Sequence, residues 1–529
     1  MSTDPKTGPS GRLVRWSANG WTLPLISGLM LGASFYVPWI VFNLLAIVPL
    51  LVWLEQHDGR SRWFRLRGAV LAGLACHLIS TSFVLALSRF SWLAFLLYPA
   101  FALVLAFKVG LVVTLAATLR RRTGLGWIWV LPTVWVAADW LLTFGDLRMP
   151  GDHLYHTMSG YPFLIQFADL TGPYGITAVL ITVNVLSFHA LIDWPRPRGR
   201  RAALALALLI AALLAYDTWA WRREWPVAAT LSVGIVQPNV KMLVKWDENA
   251  DREQWEKLSR LSREAVDQGA ELLVWPETAV PWPLYHWLER PKTFALQPIE
   301  QLARDLGVPI LTGVEYVRVR SEEDWDLYNA AMVVTPGEGL SDQWSAKTYL
   351  VPFTEKLPFA GLFGGLFDDR DGEWRFVTGG FEEFEPGKVL RLAGTEVGAL
   401  VCYEQLFADL SRAQSNAGAG WLAVITNDAW FARTPFQRYQ ANAVRLRAIE
   451  TRRDIVRSAN TGISAFADAT GRLFGATELY EEAVIVREIA VRQGTTVYGR
   501  TGNVVAWAAV VGCMLTLGLA FRRRQNARG

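Results

Sequence analysis

Long apolar segments fill the first 221 residues of the chain, and one more lies near its C-terminus. A helix needs about 20 apolar residues to cross the hydrocarbon core of a bilayer. The segments cover residues 23–35 with 37–54, 69–87, 92–119, 127–144, 163–191, 202–221 and 504–521. Because most of them reach or approach that length, the pattern predicts a polytopic α-helical membrane protein.

Glycine and proline interrupt two of these segments. The letters FYVPW at residues 35–39 break the first segment, which therefore predicts either one long helix or two short ones. The letters DLTGPYG at residues 169–175 predict a broken or tilted turn at the start of segment 163–191, since both residue types disturb helical hydrogen bonding.

The basic residues predict the orientation in the membrane. They gather at Lys6, Arg12 and Arg15, at Arg60, Arg62, Arg65 and Arg67, at residues 120–122, at Arg196, Arg198, Arg200 and Arg201, and at residues 522–524. If the first segment forms two helices, all of these clusters lie on one side, which the positive-inside rule assigns to the cytoplasm. The prediction is then about eight spans, both termini inside and residues 222–503 outside. We expect no cleavable signal peptide, because the polar N-terminus leads straight into continuing membrane segments.

Residues 222–503 alternate between strand and helix patterns. Short apolar runs predict strands at residues 231–240, 270–277, 308–317, 328–339, 395–404 and 420–428. Helix patterns lie at residues 252–269, 299–307 and 438–453. Continuous apolar strands are buried on both faces, so we expect helices packed on a sheet. The predicted domains are a membrane domain at 1–221, an outer α/β domain at 222–500, and a last helix with a basic tail at 501–529.

The composition agrees with a membrane protein, since 52% of the residues are hydrophobic and 25 are Trp. The formal net charge of +4 argues for no acidic partner, and the basic runs lie at helix ends rather than in a phosphate loop or a nucleic-acid motif. Cys76 and Cys513 lie in apolar segments, which leaves Cys402 as the only thiol of the outer region. On its own, a cysteine without an evident disulfide partner is interpreted as an inert core residue.

Three reactive side chains follow predicted strands or the loops after them. They are Glu277 in LLVWPETAVP, Lys347 in WSAKTYLVPF and Cys402 in ALVCYEQLF. Buried strands of an α/β sheet hold such side chains rigidly at the sheet rim. A carboxylate can remove the proton of a thiol, the thiolate can attack a carbonyl carbon, and a cation can stabilise the oxyanion. Spacing alone leaves open whether the three side chains meet.

These motifs resemble the nitrilase (carbon-nitrogen hydrolase) superfamily. WPE at residues 275–277, the lysine ahead of LVPF, and CYE at residues 402–404 follow its Glu-Lys-Cys order. Placed between a series of predicted spans and a last one, they are similar to the apolipoprotein N-acyltransferase branch. The motifs KWD at 245–247, ITNDAWF at 425–431 and RSANTG at 457–462 extend the resemblance over nearly the whole chain.

The resemblance implies a polytopic α-helical membrane protein with an inserted α/β nitrilase-like αββα sandwich on the periplasmic face of the bacterial inner membrane. It implies transfer of a fatty acyl chain from a phospholipid to the α-amine of an apolipoprotein's diacylglyceryl-cysteine, through a thioester. Glu277 would be the general base, Lys347 the oxyanion stabiliser and Cys402 the nucleophile. The residues that match supporting or substrate-binding positions are Glu355, Tyr403, Glu404, Trp246 and Arg453.

The partners implied are the phospholipid donor, the apolipoprotein acceptor and the bilayer, with no nucleic acid, no cofactor and no metal. The chain is expected to be a monomer.

Residues 357–369, LPFAGLFGGLFDD, predict an apolar arm that dips toward lipid or covers acyl chains, or a loop that rests at the interface. The family usually has Gly-Phe-Pro-Trp after the fifth span, whereas residues 143–156 here are TFGDLRMPGDHLYH. His153 and His156 in that loop favour a surface or interfacial position, because a metal site would need a third ligand.

Two alternatives stay open. A membrane-tethered amidase or nitrilase would pass the acyl group to water, although a soluble substrate would not require the spans. A transporter or sensor would use the outer domain to bind ligands, but Asp139, Asp169 and Lys108 are predicted to be isolated or end-of-helix charges rather than the paired charges of a transport path.

Overall fold

The chain forms a helical bundle and an α/β region in a computed structural model, which describes residues 20–146, 148–245, 248–287, 297–321, 324–337, 339–352, 354–356 and 381–526. The bundle comprises residues 20–222 and 504–526, and the α/β region lies between them. Trp246 and the predicted arm at 357–369 lie outside the described residues.

Apolar helices build the bundle. They are α1 (Thr22–Ala33), α2 (Ile40–Leu45), α3 (Val48–Gln56), α4 (Arg62–Ser80), α5 (Ala94–Thr123), α6 (Trp127–Leu141), α7 (Ala168–Thr171), α8 (Pro173–Ile192) and α9 (Pro197–Arg222), joined by a C-terminal helix at Val504–Asn526. The first apolar segment is divided, since α1 ends at Ala33 and α2 begins at Ile40. The predicted break in segment 163–191 is confirmed, because Gly172 between α7 and α8 has a φ of +68° that favours glycine.

Four of the described helices are long and apolar enough to cross a membrane, namely α5, α8, α9 and Val504–Asn526. Helix α4 and the 3-10 helix Ser82–Arg89 bend by 47° at their junction and form a fifth if they are one broken span. Helix α1, the pair at residues 40–56 and α6 are apolar but shorter. The described helices therefore support a membrane domain.

The α/β region contains two sheets and several helices. The strands are β1 (Ala229–Gln237), β2 (Leu272–Val274), β3 (Leu284–Trp287), β4 (Ile310–Val319), β5 (Trp325–Thr335), β6 (Gly339–Ala346), β7 (Val389–Leu392), β8 (Thr395–Val401), β9 (Trp421–Thr426), β10 (Ile455–Ala459), β11 (Ala465–Ala467), β12 (Leu473–Phe474) and β13 (Ala483–Val491). The helices are α10 (Met242–Lys245), α11 (Asp251–Asp267), α12 (Gln297–Leu306), α13 (Ala408–Asn416), α14 (Pro435–Thr451), α15 (Val497–Thr501) and α16 (Val504–Asn526), the C-terminal helix of the bundle.

The first sheet has the strand order β13-β1-β2-β4-β5-β6, with β3 also paired to β4, and the second has the order β12-β11-β10-β9-β8-β7. Strands β1, β2 and β4 are parallel to one another, as are β8, β9 and β10. Parallel strands need crossover connections, which α11 and α12 supply in the first sheet, and α13 and α14 in the second. The C-terminal ends of each parallel set therefore share one edge.

Apolar residues on the facing sides explain why the sheets stack. Val233 and Leu311 of the first sheet and Ala399 and Ile425 of the second belong to one buried cluster. The other face of the first sheet is covered by α11 and α12, and that of the second by α13 and α14. The layers follow the order helix, sheet, sheet, helix, in agreement with the expected nitrilase-like α/β domain.

The second helix layer rests on the bundle. Buried residues of α14 and of the bundle belong to one apolar cluster, and the rings of Phe436 and Phe83 stack with their centroids 3.9 Å apart. Arg452, directly after α14, binds Asp169 of α7 at 2.8 Å. A shared core thus fixes the sandwich on the bundle.

The charges predicted to be isolated in the bundle are paired, so that prediction was wrong. Lys108 Nζ on α5 lies 2.9 Å from Asp139 Oδ1 on α6 and 2.6 Å from Asp152 Oδ2 in the next loop. Asp169 is paired with Arg452 from the α/β region. Buried charges are retained when they are paired, and each partner here comes from a different element of the chain.

Candidate active site

The candidate residues lie at one rim of the sandwich. Glu277 comes after β2, Cys402 directly follows β8 and Asn427 directly follows β9, each at the C-terminal end of a parallel strand. Lys347 directly follows β6, which runs in the same direction as β4 because both are antiparallel to β5. Since the sheets are stacked, these strand ends face one another and bring their side chains together.

Glu277 is held by donors from three elements. Its Oε1 accepts a hydrogen bond from Asn329 Nδ2 at 2.8 Å, and its Oε2 accepts one from the backbone N–H of Asn427 at 2.7 Å. Lys347 Nζ lies 3.8 Å from the same Oε1. Glu277 is buried, so these donors compensate the lost hydration of its carboxylate and fix its orientation.

Lys347 connects two carboxylates. Its Nζ lies 2.7 Å from Glu355 Oε1, and Glu355 Oε2 accepts the backbone N–H of Val351 at 2.8 Å. Only 1% of Lys347 is exposed. Burial by itself lowers the pKa of this ammonium, but the negative charges of Glu355 and Glu277 outweigh burial and raise the pKa above its ordinary value. Lys347 is therefore a fixed positive charge at neutral pH.

Cys402 begins the 3-10 helix Cys402–Leu406 with a left-handed φ of +55°. Residues other than glycine rarely adopt this conformation, and such strain is often kept at functional sites. Burial raises the pKa of the thiol, the Glu277 carboxylate raises it further, and Lys347 lowers it. The thiol is thus protonated at neutral pH and needs a base before it can attack, and Glu277 is the carboxylate whose charge it feels most.

Glu404 connects the backbone beside Cys402 to the backbone beside Lys347. Its Oε1 accepts the N–H groups of Thr348 at 2.6 Å and Tyr349 at 3.1 Å, and its Oε2 accepts the N–H of Val401 at 2.8 Å. Burial raises the pKa of Glu404 to about 7, although these N–H donors and Lys347 act in the opposite direction. One carboxylate thereby sets the spacing of the two segments.

The other predicted supporting residues lie in different places. The hydroxyl of Tyr403 donates to the Arg148 carbonyl at 2.7 Å, and Tyr403 therefore contacts a loop of the bundle. The structure does not bring Arg453 to the rim. Its Nε donates to the Ala419 carbonyl at 2.7 Å, next to the N-terminal ends of β9 and β10. Trp246 lies outside the described residues.

Sequence reasoning missed several amides of this site. Asn329 Nδ2 contacts both Glu277 and, at 3.4 Å, Glu355. Asn460 Nδ2 donates to Asn427 Oδ1 at 3.0 Å and supports the backbone that binds Glu277. A lone amide inside the apolar strand YNAAMVV was the available signal for Asn329, because a buried polar side chain requires a partner. The quoted motifs ITNDAWF and RSANTG contain the other two amides.

Lys245, the last residue of α10, lies beside the loop that carries Glu277. Its Nζ donates to the Thr278 carbonyl at 2.8 Å and lies 3.4 Å from the Glu277 carbonyl. Thr278 has a left-handed φ of +46°. Burial lowers the pKa of Lys245 to about 8, while Glu277 and Glu315 act to raise it. The contacts of Lys245 stabilise this unusual loop backbone.

His153 and His156 are both buried. His156 Nε2 donates to the Leu406 carbonyl at 3.2 Å. In the part of the chain that the structure describes, no group of three His, Cys, Asp or Glu side chains is arranged around a metal position. The expected surface position was wrong for both residues, since both are buried, and the His156 contact places that residue where the bundle meets the sandwich.

Two family models match the chain, one for each region. Residues 27–186 match the apolipoprotein N-acyltransferase N-terminal domain, and residues 232–497 match the carbon-nitrogen hydrolase model. The first match lies within the bundle, and the second spans the sandwich.

Curated relatives match over most of their length. The apolipoprotein N-acyltransferase of Geobacter metallireducens is 31% identical over 518 residues, which cover 95% of this chain and 96% of the relative. This chain belongs to the apolipoprotein N-acyltransferase family. Relatives of the same name include those from Gloeobacter violaceus, 30% identical over 88% of this chain and 87% of the relative, and Allorhizobium ampelinum, 32% identical over 75% and 73%.

Solved structures of similar proteins come from the nitrilase superfamily. An amidase from Nesterenkonia sp. is 16% identical with a TM-score of 0.36, covering 53% of this chain and 95% of that chain. A carbon-nitrogen hydrolase from Helicobacter pylori G27 is 15% identical with a TM-score of 0.36, covering 50% and 90%. The resemblance drawn from the sequence motifs is confirmed by the family models and the curated relatives.

The geometry suits covalent acyl transfer, the chemistry of a cysteine acyl-enzyme. A protonated thiol, a carboxylate supplied with donors and a fixed ammonium lie at one buried rim. Burial strengthens electrostatic stabilisation of an oxyanion, because the surrounding medium is less polar than water. The chain is thus an acyltransferase of the carbon-nitrogen hydrolase superfamily.

Proposed function

We propose that the protein transfers a fatty acyl chain from a membrane phospholipid to the N-terminal α-amine of diacylglyceryl-cysteine on apolipoproteins, the last step of lipoprotein maturation. The observation that carries this proposal is the meeting of Glu277, Lys347 and Cys402 at a rim whose neighbouring residue Tyr403 touches the bundle. The names of the curated relatives support the choice of acceptor and reaction.

In the first half-reaction Glu277 takes the thiol proton of Cys402, and the thiolate attacks an ester carbonyl carbon of the phospholipid. Lys347 stabilises the oxyanion of the tetrahedral intermediate. The ester C–O bond then breaks, Glu277 returns the proton to the leaving oxygen of the lysophospholipid, and the acyl chain remains on Cys402 as a thioester.

In the second half-reaction the amine of the apolipoprotein attacks the thioester carbon. Glu277 accepts a proton from the amine and delivers it to the leaving thiolate as the C–S bond breaks. Lys347 stabilises the second oxyanion in the same position. The products are the amide-linked acyl chain and the free thiol of Cys402, which gives ping-pong kinetics.

The remaining predicted residues take supporting roles. The contacts of Glu355 support orientation of Lys347, and those of Tyr403 and Glu404 support the segment after the nucleophile. Trp246 stays a candidate for substrate contact. The contacts of Arg453 favour fixing the far ends of the strands over touching a substrate.

The proposed location is the bacterial inner membrane, with residues 222–500 on the periplasmic face and the protein acting as a monomer. About eight crossings follow if α1, the pair α2 and α3, and α6 span together with the longer helices. The proposed domains are 1–221, 222–500 and 501–529. The basic clusters at residues 120–122 and 522–524 support this orientation, because positive charge is retained on the cytoplasmic side.

A thioester trap tests the function. Detergent-solubilised protein that is given phospholipid without an acceptor amine should gain one acyl group on the peptide containing Cys402, measured by mass spectrometry. A diacylglyceryl-cysteinyl peptide should then clear the mark and become N-acylated, and Cys402→Ser should show neither event. Free fatty acid as the main product, formed at a rate that the peptide does not change, would identify a hydrolase instead.

A further inference from the structure

Residues 148–158, which follow α6 and precede α7, form a docking loop between the bundle and the active-site rim. The hydroxyl of Tyr403, the residue after the nucleophile, donates to the Arg148 carbonyl at 2.7 Å. The Arg148 guanidinium lies 4.3 Å from the ring centroid of Tyr349, two residues after Lys347. One residue of the bundle therefore contacts both segments that carry the catalytic pair.

The rest of the docking loop contacts the elements beneath the nucleophile. The hydroxyl of Tyr439 on α14 donates to the Gly151 carbonyl at 2.5 Å. His156 donates to the Leu406 carbonyl at 3.2 Å, at the end of the 3-10 helix that Cys402 begins. The docking loop thus contacts that helix near both of its ends and fixes its position.

The docking loop is anchored in the bundle by a buried ion pair. Asp152 Oδ2 lies 2.6 Å from Lys108 Nζ on α5, and Asp139 of α6 shares the same ammonium at 2.9 Å. The side chains of Asp152, Asp139 and Lys108 are 6%, 1% and 12% exposed. Separating a buried pair leaves an uncompensated charge in a poorly solvating medium, so Asp152 resists any movement of the docking loop away from α5.

We infer that Lys108 and Asp152 are positioning residues for acyl transfer. They attach the docking loop to the bundle and thereby fix the positions of the segments that carry Cys402 and Lys347 relative to each other and to the membrane. The inference rests on the proposed function, because the step it concerns is formation of the acyl-enzyme. It also gives the unusual loop sequence a role, since Arg148, Gly151 and Asp152 all belong to it.

Two matched variants separate positioning from general stability. Asp152→Ala and Asp139→Ala each remove one buried carboxylate, and each leaves Lys108 with one partner, but only Asp152 belongs to the docking loop. We expect Asp152→Ala to slow acyl-enzyme formation at saturating phospholipid by about tenfold or more, since misplacing a catalytic group by about 1 Å costs on the order of a hundredfold. Asp139→Ala should change this rate by less than about threefold, and Asp152→Glu should restore much of it.

Hydrogen exchange supplies a second measurement. Backbone amides of residues 402–407 and 348–351 should exchange faster in Asp152→Ala than in Asp139→Ala, because only the former frees the docking loop. Equal acylation rates and equal exchange in the two variants would overturn the inference. If Asp152→Ala does not fold in detergent, the isosteric Asp152→Asn is compared with Asp139→Asn, and equal rates again decide against it. Absence of any thioester in the wild-type protein would instead overturn the proposed function.

Discussion

Replacing Glu404 by Gln tests whether one carboxylate sets the geometry of the site. The carboxylate accepts N–H groups on both oxygens, from Thr348 and Tyr349 on one side and from Val401 on the other. A Gln side chain can present its carbonyl oxygen to only one side and must place an NH₂ group against a donor on the other. The change is therefore nearly isosteric but removes the acceptor for the N–H groups on one side, since two donors face each other there.

The cost follows from the number of bonds affected. If the Gln carbonyl faces Thr348 and Tyr349, the N–H of Val401 is left buried without an acceptor, which costs about 1–3 kcal/mol. The two remaining bonds also lose their charge assistance, which makes the total about 2–5 kcal/mol. If the displacement of Cys402 and Lys347 adds about half of that total, roughly 1–2.5 kcal/mol, to the activation free energy, acyl-enzyme formation slows by about five- to seventyfold, at 1.36 kcal/mol per factor of ten.

The pH dependence of the variant gives an independent signature. Burial raises the pKa of Glu404 from the ordinary 4.5 to about 7 in the folded protein. Between these values the folded protein holds a proton that the unfolded chain has released, so the free energy of unfolding falls as the pH rises. The acylation rate should change in the opposite direction and rise through about pH 7, since only the carboxylate accepts on both oxygens. Glu404→Gln should lack both dependences.

The assay is the rate of mass gain at the Cys402 peptide with excess phospholipid, measured across this pH range for wild type and variant. Glu396→Gln is the control, because Glu396 lies on the same strand β8 but is exposed. A Glu404→Gln rate within about threefold of the wild-type rate would refute the reasoning, because it corresponds to a difference in activation free energy of under about 1 kcal/mol. An unchanged limb near pH 7 would refute the assignment of that titration to Glu404.

Four further changes have defined outcomes. Lys347→Arg should abolish thioester formation, because a planar guanidinium does not replace a compact ammonium in a buried oxyanion site, and a detectable mass gain would contradict this role. Asn329→Leu should slow acylation by on the order of ten- to a hundredfold, since it removes a donor bound to a charged group, and an unchanged rate would make that bond dispensable. Between about pH 8 and 10.5 the unfolded chain keeps a proton that folded Lys245 has released, so in thermal melts the stability of the wild type relative to Lys245→Met should rise with pH; a constant difference would contradict this. A reporter after Gly529 should be cytoplasmic and one near Gly339 external; an internal position for Gly339 would place the site in the wrong leaflet.

Local patterns predicted the long apolar helices and six of the thirteen described strands. The amphipathic pattern at 252–269 corresponds to α11 at Asp251–Asp267, and the pattern at 438–453 corresponds to α14 at Pro435–Thr451. The split of the first apolar segment was open between two alternatives until α1 and α2 decided it. Such features depend on residues that are close in sequence, so the spacing of apolar residues predicts them directly.

Contacts between distant residues were not predictable in the same way. Lys108 and Asp152 are 44 positions apart, and Asn329 and Glu277 are 52 apart, so no local pattern marks either pair. The motif order predicted Glu277, Lys347 and Cys402, which follow predicted strands or the loops after them. Arg453 was grouped with them by its motif, yet it precedes β10 and therefore lies at the end of the strand away from the rim.

The apolar cluster shared by α14 and the bundle also has a consequence for biogenesis. During synthesis the N-terminal helices enter the bilayer before residues 229–491 have been made, so the surface that receives Phe436 and Tyr439 already exists when the sandwich folds. The second sheet and its helices then bury their remaining apolar surface against the bundle. A sandwich separated from the bundle would expose this apolar face to water and aggregate. We therefore expect that residues 229–491 do not form a soluble enzyme on their own.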